Sequence, residues 1–424
     1  MAAPPTLPDI GAAELLGLDA HAASGPPHAL FARLRRESPV HRCEGGGFEP
    51  FWAVTRHADV AAVSRQPDRY RSGPRLTVFP RDVVPPGVSE SALLRMLLNL
   101  DPPEHGALRG VLARQFTPGA LRALEPRVRA LAREVVGGMA SRARAAGGTL
   151  ECDFVEDLAA PLPLRLILHL LGAPEEDAPH LLELSNRVVG LADPEYARGA
   201  PPAAAALTAW TGLFQYFGRL VAARRRDPGD DLVSRLAASE VDGRPLSDAE
   251  LLSYGFLLLT AGNETTRNAI TGGLLALLAH PPELARLRED PGLLETAADE
   301  IVRWTSPITY FCRTAAADGE LSGAEIRAGD TLVLLYASAN RDETVFAEPD
   351  RLDVSRQPNP HLGFGIGEHF CLGASLARLE LRAFFAELLR EFEELEATGP
   401  AQRLRSSFNA GFRHLPVRLK AARG

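Results

Sequence analysis

Two short stretches of the chain gather side chains able to do chemistry. The first is His361–Ala374, HLGFGIGEHFCLGA, where Gly363, Gly365, Gly367 and Gly373 surround Cys371, with Phe364 and Phe370 nearby. Glycine-rich backbone can approach a flat ligand closely and lets N–H groups point at a sulfur. A helical pattern begins beside Cys371, and the positive end of a helix favours thiolate. A dinucleotide loop would need Gly at position 370, where Phe370 stands, and a preceding strand that is missing. His361, His369 and Cys371 offer at most three zinc ligands. A structural loop around a buried free Cys is the plain alternative. The second stretch is Ala261–Thr266, AGNETT. Glu264 and Thr265 place an acid next to an alcohol, but neighbours on a helix point about 100° apart and cannot form a face pair directly. The plain alternative there is a polar kink in a buried helix.

The elements that must position these groups are mostly helical. Residues 1–27, rich in Ala, Pro and Gly, read as a loosely ordered lead-in. ALFARLRRE after His28 predicts a short amphipathic helix, Phe51–Arg56 a strand, and HADVAAVSR the helix after it. Residues 71–90 carry Pro74, Pro80, Pro85 and Pro86 and read as a long irregular loop of the kind that serves as a lid. Helical spacing returns over Ala120–Ala140. Leu162–Leu171 is the most apolar run, ended by Gly172 and Pro174. Residues 193–203 are a Pro/Gly/Ala-rich connection. A capping signal at Ser247–Glu250 opens a helix that runs to about His280, stopped by Pro281 and Pro282. At about 30 residues it is long enough to cross a core. Thr331–Asn340 predicts a strand, and Gly373 to about Phe392 a last helix. The expected fold class is mainly α with small β-sheets, in a single large domain over 28–424 and with no internal repeat.

Composition removes several function classes. Lys420 is the only lysine among 46 Lys and Arg residues. A Walker A loop and a Schiff-base site each need a lysine inside a folded site, so both become untenable. Cys43, Cys152, Cys312 and Cys371 are scattered without a C-x-x-C pair, which argues against a zinc ribbon or a disulfide scaffold and fits a reducing cytoplasm. The net charge of −8 argues against a nucleic-acid partner. No secretory signal opens the chain, and no apolar run is long enough for a membrane anchor.

Phe364-Gly365-x-Gly367-x-His369-x-Cys371-x-Gly373 resembles the haem-thiolate signature of the cytochrome P450 family. Ala261-Gly262-Asn263-Glu264-Thr265-Thr266 and Glu300-x-x-Arg303 resemble two further family motifs, in the expected order. Asp101–His105 with Arg109, and Ala339–Asp342 with Phe346, extend the resemblance over nearly the whole chain after about residue 50. It implies the cytochrome P450 fold, haem b (iron protoporphyrin IX) as cofactor and Cys371 as the axial ligand of its iron. A thiolate there pushes electron density onto the iron and favours O–O cleavage. The resemblance also implies that Thr265 faces the dioxygen site, that Glu264 gates proton entry, and that Ala261 and Gly262 let the distal helix pass the haem. His105, Arg109, Arg313 and His369 match positions that hold the haem propionates, where a cation or donor pairs well with a carboxylate. Glu300 and Arg303, three apart on one helix face, match a buried structural pair. Phe79, Leu257, Thr260, Ile308, Thr309, Tyr310 and the Ala410–Phe412 segment match substrate-contact positions, most of them apolar as a hydrophobic ligand requires.

SPITYFCR, AGNETTRNAITGG and SANRDE look closest to actinobacterial hydroxylases of steroids and methyl-branched lipids. Phe311, two before Arg313, stands where a common bacterial pattern has a polar residue. The function so implied is a monooxygenase that inserts one atom of O2 into a C–H bond of a hydrophobic small molecule: a steroid, terpenoid, lipid or secondary metabolite. Electrons would come from a separate ferredoxin and ferredoxin reductase. C–C or C–N coupling by the same motifs is the alternative chemistry. A non-catalytic haem carrier or sensor would have no need of the Glu264–Thr265 pair.

Overall fold

Start and stop signals set most helix ends in the computed structural model, which describes residues 10–83 and 95–423. In chain order the helices are α1 (Ala12–Leu16), α2 (Leu18–Ser24), α3 (His28–Glu37), α4 (His57–Ser64), α5 (Glu104–Ala113), α6 (Pro118–Ala145), α7 (Pro161–Leu171) and α8 (Ala178–Val189). They continue as α9 (Pro194–Ala197), α10 (Pro202–Arg226), α11 (Leu232–Ala237), α12 (Asp248–Ala279), α13 (Pro281–Glu289), α14 (Leu294–Thr305), α15 (Tyr336–Ala339) and α16 (Ala374–Glu391). Gly172 ends α7 in the left-handed region at φ 70°, where glycine carries no steric penalty. Ser247 and Glu250 form a reciprocal capping box: Glu250 N donates to Ser247 Oγ at 3.3 Å, and Ser247 N donates to Glu250 Oε2 at 2.7 Å. That cap launches the 32-residue α12.

One sheet runs in the order β1 (Val40–Cys43), β2 (Phe51–Val54), β10 (Thr331–Leu335), β7 (Tyr310–Ala315), β3 (Tyr70–Arg71). Its two faces alternate as strand geometry requires. Val333 and Leu335 join a core containing Phe51 and Tyr310, whereas Leu332 and Leu334 join one containing Val54 and Val60. A three-stranded sheet pairs β14 (Pro416–Ala421) with β11 (Phe392–Ala397) and β4 (Thr149–Asp153). A two-stranded hairpin joins β12 (Gln402–Arg403) to β13 (Phe412–His414). α12 contributes buried residues to both large helical cores: Ile270 and Leu274 pack with α6, α14 and α16, and Leu251 and Leu259 with α5, α7, α8 and α10. This mainly α fold with small sheets matches the expected class.

Two expectations change, and a third holds as far as Val83. The lead-in is not loose from residue 10 onward, because α1 and α2 bury Ile10, Leu15 and Leu16 against Phe31, Phe51 and Val78; residues 1–9 lie outside the described residues. The strand expected over Thr331–Asn340 stops at Leu335 and turns into α15. Asn340 follows, its side chain donating to Ser306 Oγ at 2.9 Å and accepting from Leu362 N at 2.7 Å. The loop after Arg71 is irregular up to Val83, with Phe79 packed against Leu18, Val83 and Ala192; Pro85 and Pro86 lie outside the described residues.

Candidate active site

The Cys371 loop is folded by its own backbone. Cys371 N donates to Phe364 O at 2.8 Å and Gly365 N to Leu362 O at 2.9 Å. Gly365 and Gly367 sit at φ 69° and 80°. A Cβ on Gly367 would lie 2.5 Å from Ser64 O, so α4 closes directly over the loop. The Arg378 guanidinium lies 4.6 Å from the Phe364 ring centroid and pairs with Asp299 at 2.7 Å. Cys371 is crowded by protein on the longer range, and burial pushes its thiol pKa up, opposed by the Gly373 N–H and by Arg109 and Arg378. Yet the residue has accessible surface, and Phe370 before it is 41% exposed. Both facts hold if the loop lines an internal chamber. Gly373, at the start of α16, has nothing within 4 Å of where a Cβ would stand.

Four basic side chains converge beside this loop. His105 is buried with neither ring nitrogen partnered. Its ring lies 4.0 Å from that of His369, centroid to centroid. Burial, then the nearby Arg109, depress His105 to about 4. Burial, then Arg313, His105 and Arg109, depress His369 to about 2. Arg313 is buried and donates to Cys312 O at 2.7 Å; Arg109 donates to Phe370 O. Among the described residues no carboxylate pairs with either arginine. A buried guanidinium, a half-buried one and two repelled imidazoles make a site suited to an anion. The carboxylates of a haem suit this donor set, and Cys371 beside it suits a soft metal ion. The sequence reading missed Ser72: its Oγ lies 2.9 Å from His369 Nε2, and its N donates to Asp101 Oδ1 at 2.7 Å. In the sequence Asp101 reads only as part of the motif before His105.

The other wall is α12. In the middle of this buried helix Ala261 is exposed, with Gly262 and Thr265 partly so. They form an open strip one turn long. Thr265 Oγ1 donates to Ala261 O at 2.7 Å, which aims its lone pairs away from the helix backbone. Glu264 faces elsewhere. It is buried, accepting from Arg267 and from Asn268 Nδ2 at 3.0 Å, while Arg267 Nη1 donates to Asn186 Oδ1 at 2.7 Å. Tyr196 is a further hydrogen-bond partner of Arg267. A Cβ on Gly262 would lie 2.6 Å from Ile167 Cδ1, so the packing of α7 on α12 favours a glycine there. Tyr254 Oη donates to Leu108 O at 2.7 Å and ties α12 to the helix that carries His105 and Arg109. Leu372 packs into the core that holds Leu257 and Leu258.

The expected substrate contacts separate into two groups. Phe79, Thr260, Ile308 and Ala410 keep accessible surface, and Leu257 is buried in the helical core. Thr309, Tyr310 and Phe412 do not belong with them. Thr309 is buried, with its hydroxyl spent on the Ser407 and Phe408 carbonyls. Tyr310 is buried and donates to Val78 O at 2.9 Å. Phe412 is packed in the core against Gly272. Phe311 instead stacks edge-on with Phe408 at 5.3 Å and Tyr336 at 6.2 Å. Glu300 and Arg303 are both fully buried and joined by two hydrogen bonds, at 2.7 and 2.8 Å.

A family profile described as Cytochrome P450 matches residues 206–420. The chain is 40% identical to a methyl-branched lipid omega-hydroxylase of Mycobacterium tuberculosis over 98% of this chain and 96% of that one. It is 38% identical to a steroid C26-monooxygenase of Mycolicibacterium smegmatis, covering 92% and 90%. It superposes on a solved Mycobacterium marinum cytochrome P450 in complex with pseudoionone with a TM-score of 0.86 and 38% identity, over 98% of this chain and 99% of that one.

Proposed function

The chain belongs to the cytochrome P450 family, and from that premise we propose that it is a haem-thiolate monooxygenase that puts one atom of O2 into a C–H bond of a hydrophobic small molecule, foremost a methyl-branched lipid or steroid. The observation that carries this reading is the convergence of Arg109, Arg313, His105 and His369, unpaired with any carboxylate among the described residues, beside the accessible Cys371. Cys371 would bind the haem iron, and the four basic groups would hold the propionates. The bound haem supplies O2 activation.

The chain's own residues supply the rest. Ala261 and Thr265 present the open strip of α12 to the chamber. The Thr265 hydroxyl gives its one hydrogen to Ala261 O, so toward the site it offers lone pairs that can accept a hydrogen bond from a water or a bound group and hold it in place. Glu264, next in sequence but one face away, is the acid nearest along the helix, and Arg267 and Asn268 fix its two oxygens. Phe79, Leu257 and Ile308 supply the apolar wall, which excludes water and suits a hydrocarbon. The printed names of two relatives, a methyl-branched lipid omega-hydroxylase and a steroid C26-monooxygenase, support the substrate class.

A separate ferredoxin and its reductase would deliver electrons at the face near Cys371. Arg114, exposed just after α5, the helix whose Arg109 reaches Phe370 O, has no ion-pair partner among the described residues and would meet the ferredoxin there. The test is direct. Dithionite and CO should give the thiolate-type Soret band. Methyl-branched fatty acids and steroids should then shift the resting spectrum, and NADPH with surrogate ferredoxin and reductase should yield a product carrying one oxygen from 18O2. A purified protein without haem, or product oxygen drawn from water, would sink the assignment.

A further inference from the structure

The connection between α8 and α10, residues 190–201, is clamped from outside by charged side chains that the oxidation chemistry does not use. Asp193, 1% exposed, accepts from Glu195 N at 3.0 Å and Arg405 N at 2.9 Å, and faces Arg413 Nε at 3.5 Å. Glu195 accepts from Arg413 Nη1 at 2.6 Å. Its other oxygen lies 2.9 Å from His414 Nε2, and the opposite ring nitrogen, Nδ1, lies 2.5 Å from Asp153 Oδ2. One imidazole therefore bridges β4, on the fixed three-stranded sheet, to α9 in the connection.

The inner side of the same connection packs against residues of the candidate site. Ala192 packs with Leu18, Val83 and Phe79. Tyr196 reaches Arg267, the partner of Glu264. The hairpin that carries Arg413 and His414 also reaches inward, where a Cβ on Gly411 would lie 3.3 Å from Glu264 Oε1. Releasing the connection would thus uncover Phe79 and the Glu264–Arg267 network.

A neutral imidazole owns a single N–H, so between two carboxylates it must turn a lone pair toward one of them; only the imidazolium donates to both. We propose that His414 is a pH-sensitive clasp that, when protonated, ties the α8–α10 connection to β4, and that its deprotonation loosens the connection, leaving it to Arg405 and Arg413 alone, and speeds the entry of hydrophobic ligands. The groups facing His414 are Asp153 on β4, Glu156 in the turn after it, Glu195 on α9 and Arg413 beside it on β13. Behind them, Asp157 accepts from Asp153 N and lies 3.8 Å from Arg142 of α6, and Arg403 of β12 stacks on Phe412. Carboxylates thus contact both ring nitrogens. Burial opposes the charge, but the hydrogen bonds to Asp153 and Glu195 outweigh it and hold the imidazole above its ordinary value. The contribution of the clasp is therefore complete below about pH 6.5, the ordinary histidine value, and is lost as pH rises through the raised folded value.

The experiment uses the haem-loaded protein and 1-phenylimidazole as probe. Its association is followed by the Soret shift in stopped flow, with rates referred to the neutral probe. Amide exchange over residues 190–201, normalised to intrinsic rates, is read in parallel and needs no haem signal, so a failed haem assignment is distinguishable from a failed clasp. Association and normalised exchange should both rise several-fold from about pH 6 to about pH 9, across the histidine range. His414→Gln and Glu195→Gln should each be fast already at the acid end and lose the pH response. A flat wild-type profile, or a pH response that survives in folded His414→Gln, overturns the clasp. Glu195 is exposed, so Glu195→Gln carries the same test if His414→Gln does not fold.

Discussion

Glu300→Gln removes one charge and almost no volume from the most enclosed ion pair in the protein. Glu300 and Arg303 are both 0% exposed. The Glu300 carboxylate accepts from Arg303 Nε at 2.7 Å and Nη2 at 2.8 Å, from Asp353 N at 2.9 Å, from Arg356 Nε at 3.1 Å and from Asn359 Nδ2 at 3.2 Å. Arg303 also donates to the carbonyls of Asn340 and Pro349 at 2.9 and 2.8 Å, which joins α14 to the segment leading into the Cys371 loop. Glutamine keeps one acceptor but leaves two guanidiniums facing a neutral amide. Breaking a buried pair from one side costs about 3–5 kcal/mol. An unfolding entropy of ~2.1 cal/mol/K per residue gives a chain of this length ~0.9 kcal/mol/K, so the thermal midpoint should fall by ~3–6 °C. Far-UV circular dichroism of the haem-loaded protein measures it. Arg33→Gln is the control, because its pair with Glu37 is a surface i,i+4 contact of the kind that contributes about 0.3–0.5 kcal/mol. A Glu300→Gln midpoint that moves no more than the control would refute the reasoning, since the buried guanidiniums would then have found other compensation.

Cys371→Ser should lose the thiolate-type CO band and product formation, because serine is a hard ligand of much higher pKa; either property surviving removes Cys371 as the ligand. Thr265→Ala should keep haem and ligand binding but lower product formed per NADPH and raise peroxide, with little change in stability, because the hydroxyl's bond is to its own helix at Ala261 O; an unchanged ratio would move the proton-handling role elsewhere. Arg313→Leu should speed haem transfer to apomyoglobin by about 10–100-fold, the equivalent of one charge-assisted hydrogen bond of about 1.5–3 kcal/mol; an unchanged rate would place the propionates away from it. Arg114→Glu should slow ferredoxin-supported turnover at low salt while peroxide-driven turnover holds, since a rim charge acts on association; a silent variant with salt-independent turnover would exclude electrostatic docking there.

What the sequence showed depended on how local the cause was. The capping box at Ser247 and the glycine stop at Gly172 involve residues a few positions apart, and both elements formed where expected. The Cys371 loop was legible because its glycines and its ligand candidate are contiguous. The lead-in was misread because its composition suggested disorder, whereas its order comes from burying Ile10, Leu15 and Leu16 on a sheet made of distant segments. Tyr310 and Phe412 looked like chamber residues by position in the chain. Their side chains alternate into the core, and which face a strand residue takes is decided by the partner strands. Ser72 and the Asp153–His414–Glu195 bridge were invisible because their partners lie 297, 261 and 219 residues away.

The separation of Glu264 from Thr265 follows from helix geometry rather than from any special strain. On α12, Glu264 shares a face with residues three and four further on, Arg267 and Asn268, which take its two oxygens. Thr265 shares a face with Ala261, four residues back, and that face is the open one. A single turn therefore offers an enclosed, paired acid on one side and an accessible hydroxyl on the other. The acid's pairing answers a physical requirement, since a buried carboxylate without partners would cost several kcal/mol. The small side chain at Ala261 answers another, because a larger residue would fill the strip beside the Thr265 hydroxyl. The same helix thus supplies both the accessible hydroxyl and the charged network that runs through Arg267 and Tyr196 to the connection between α8 and α10.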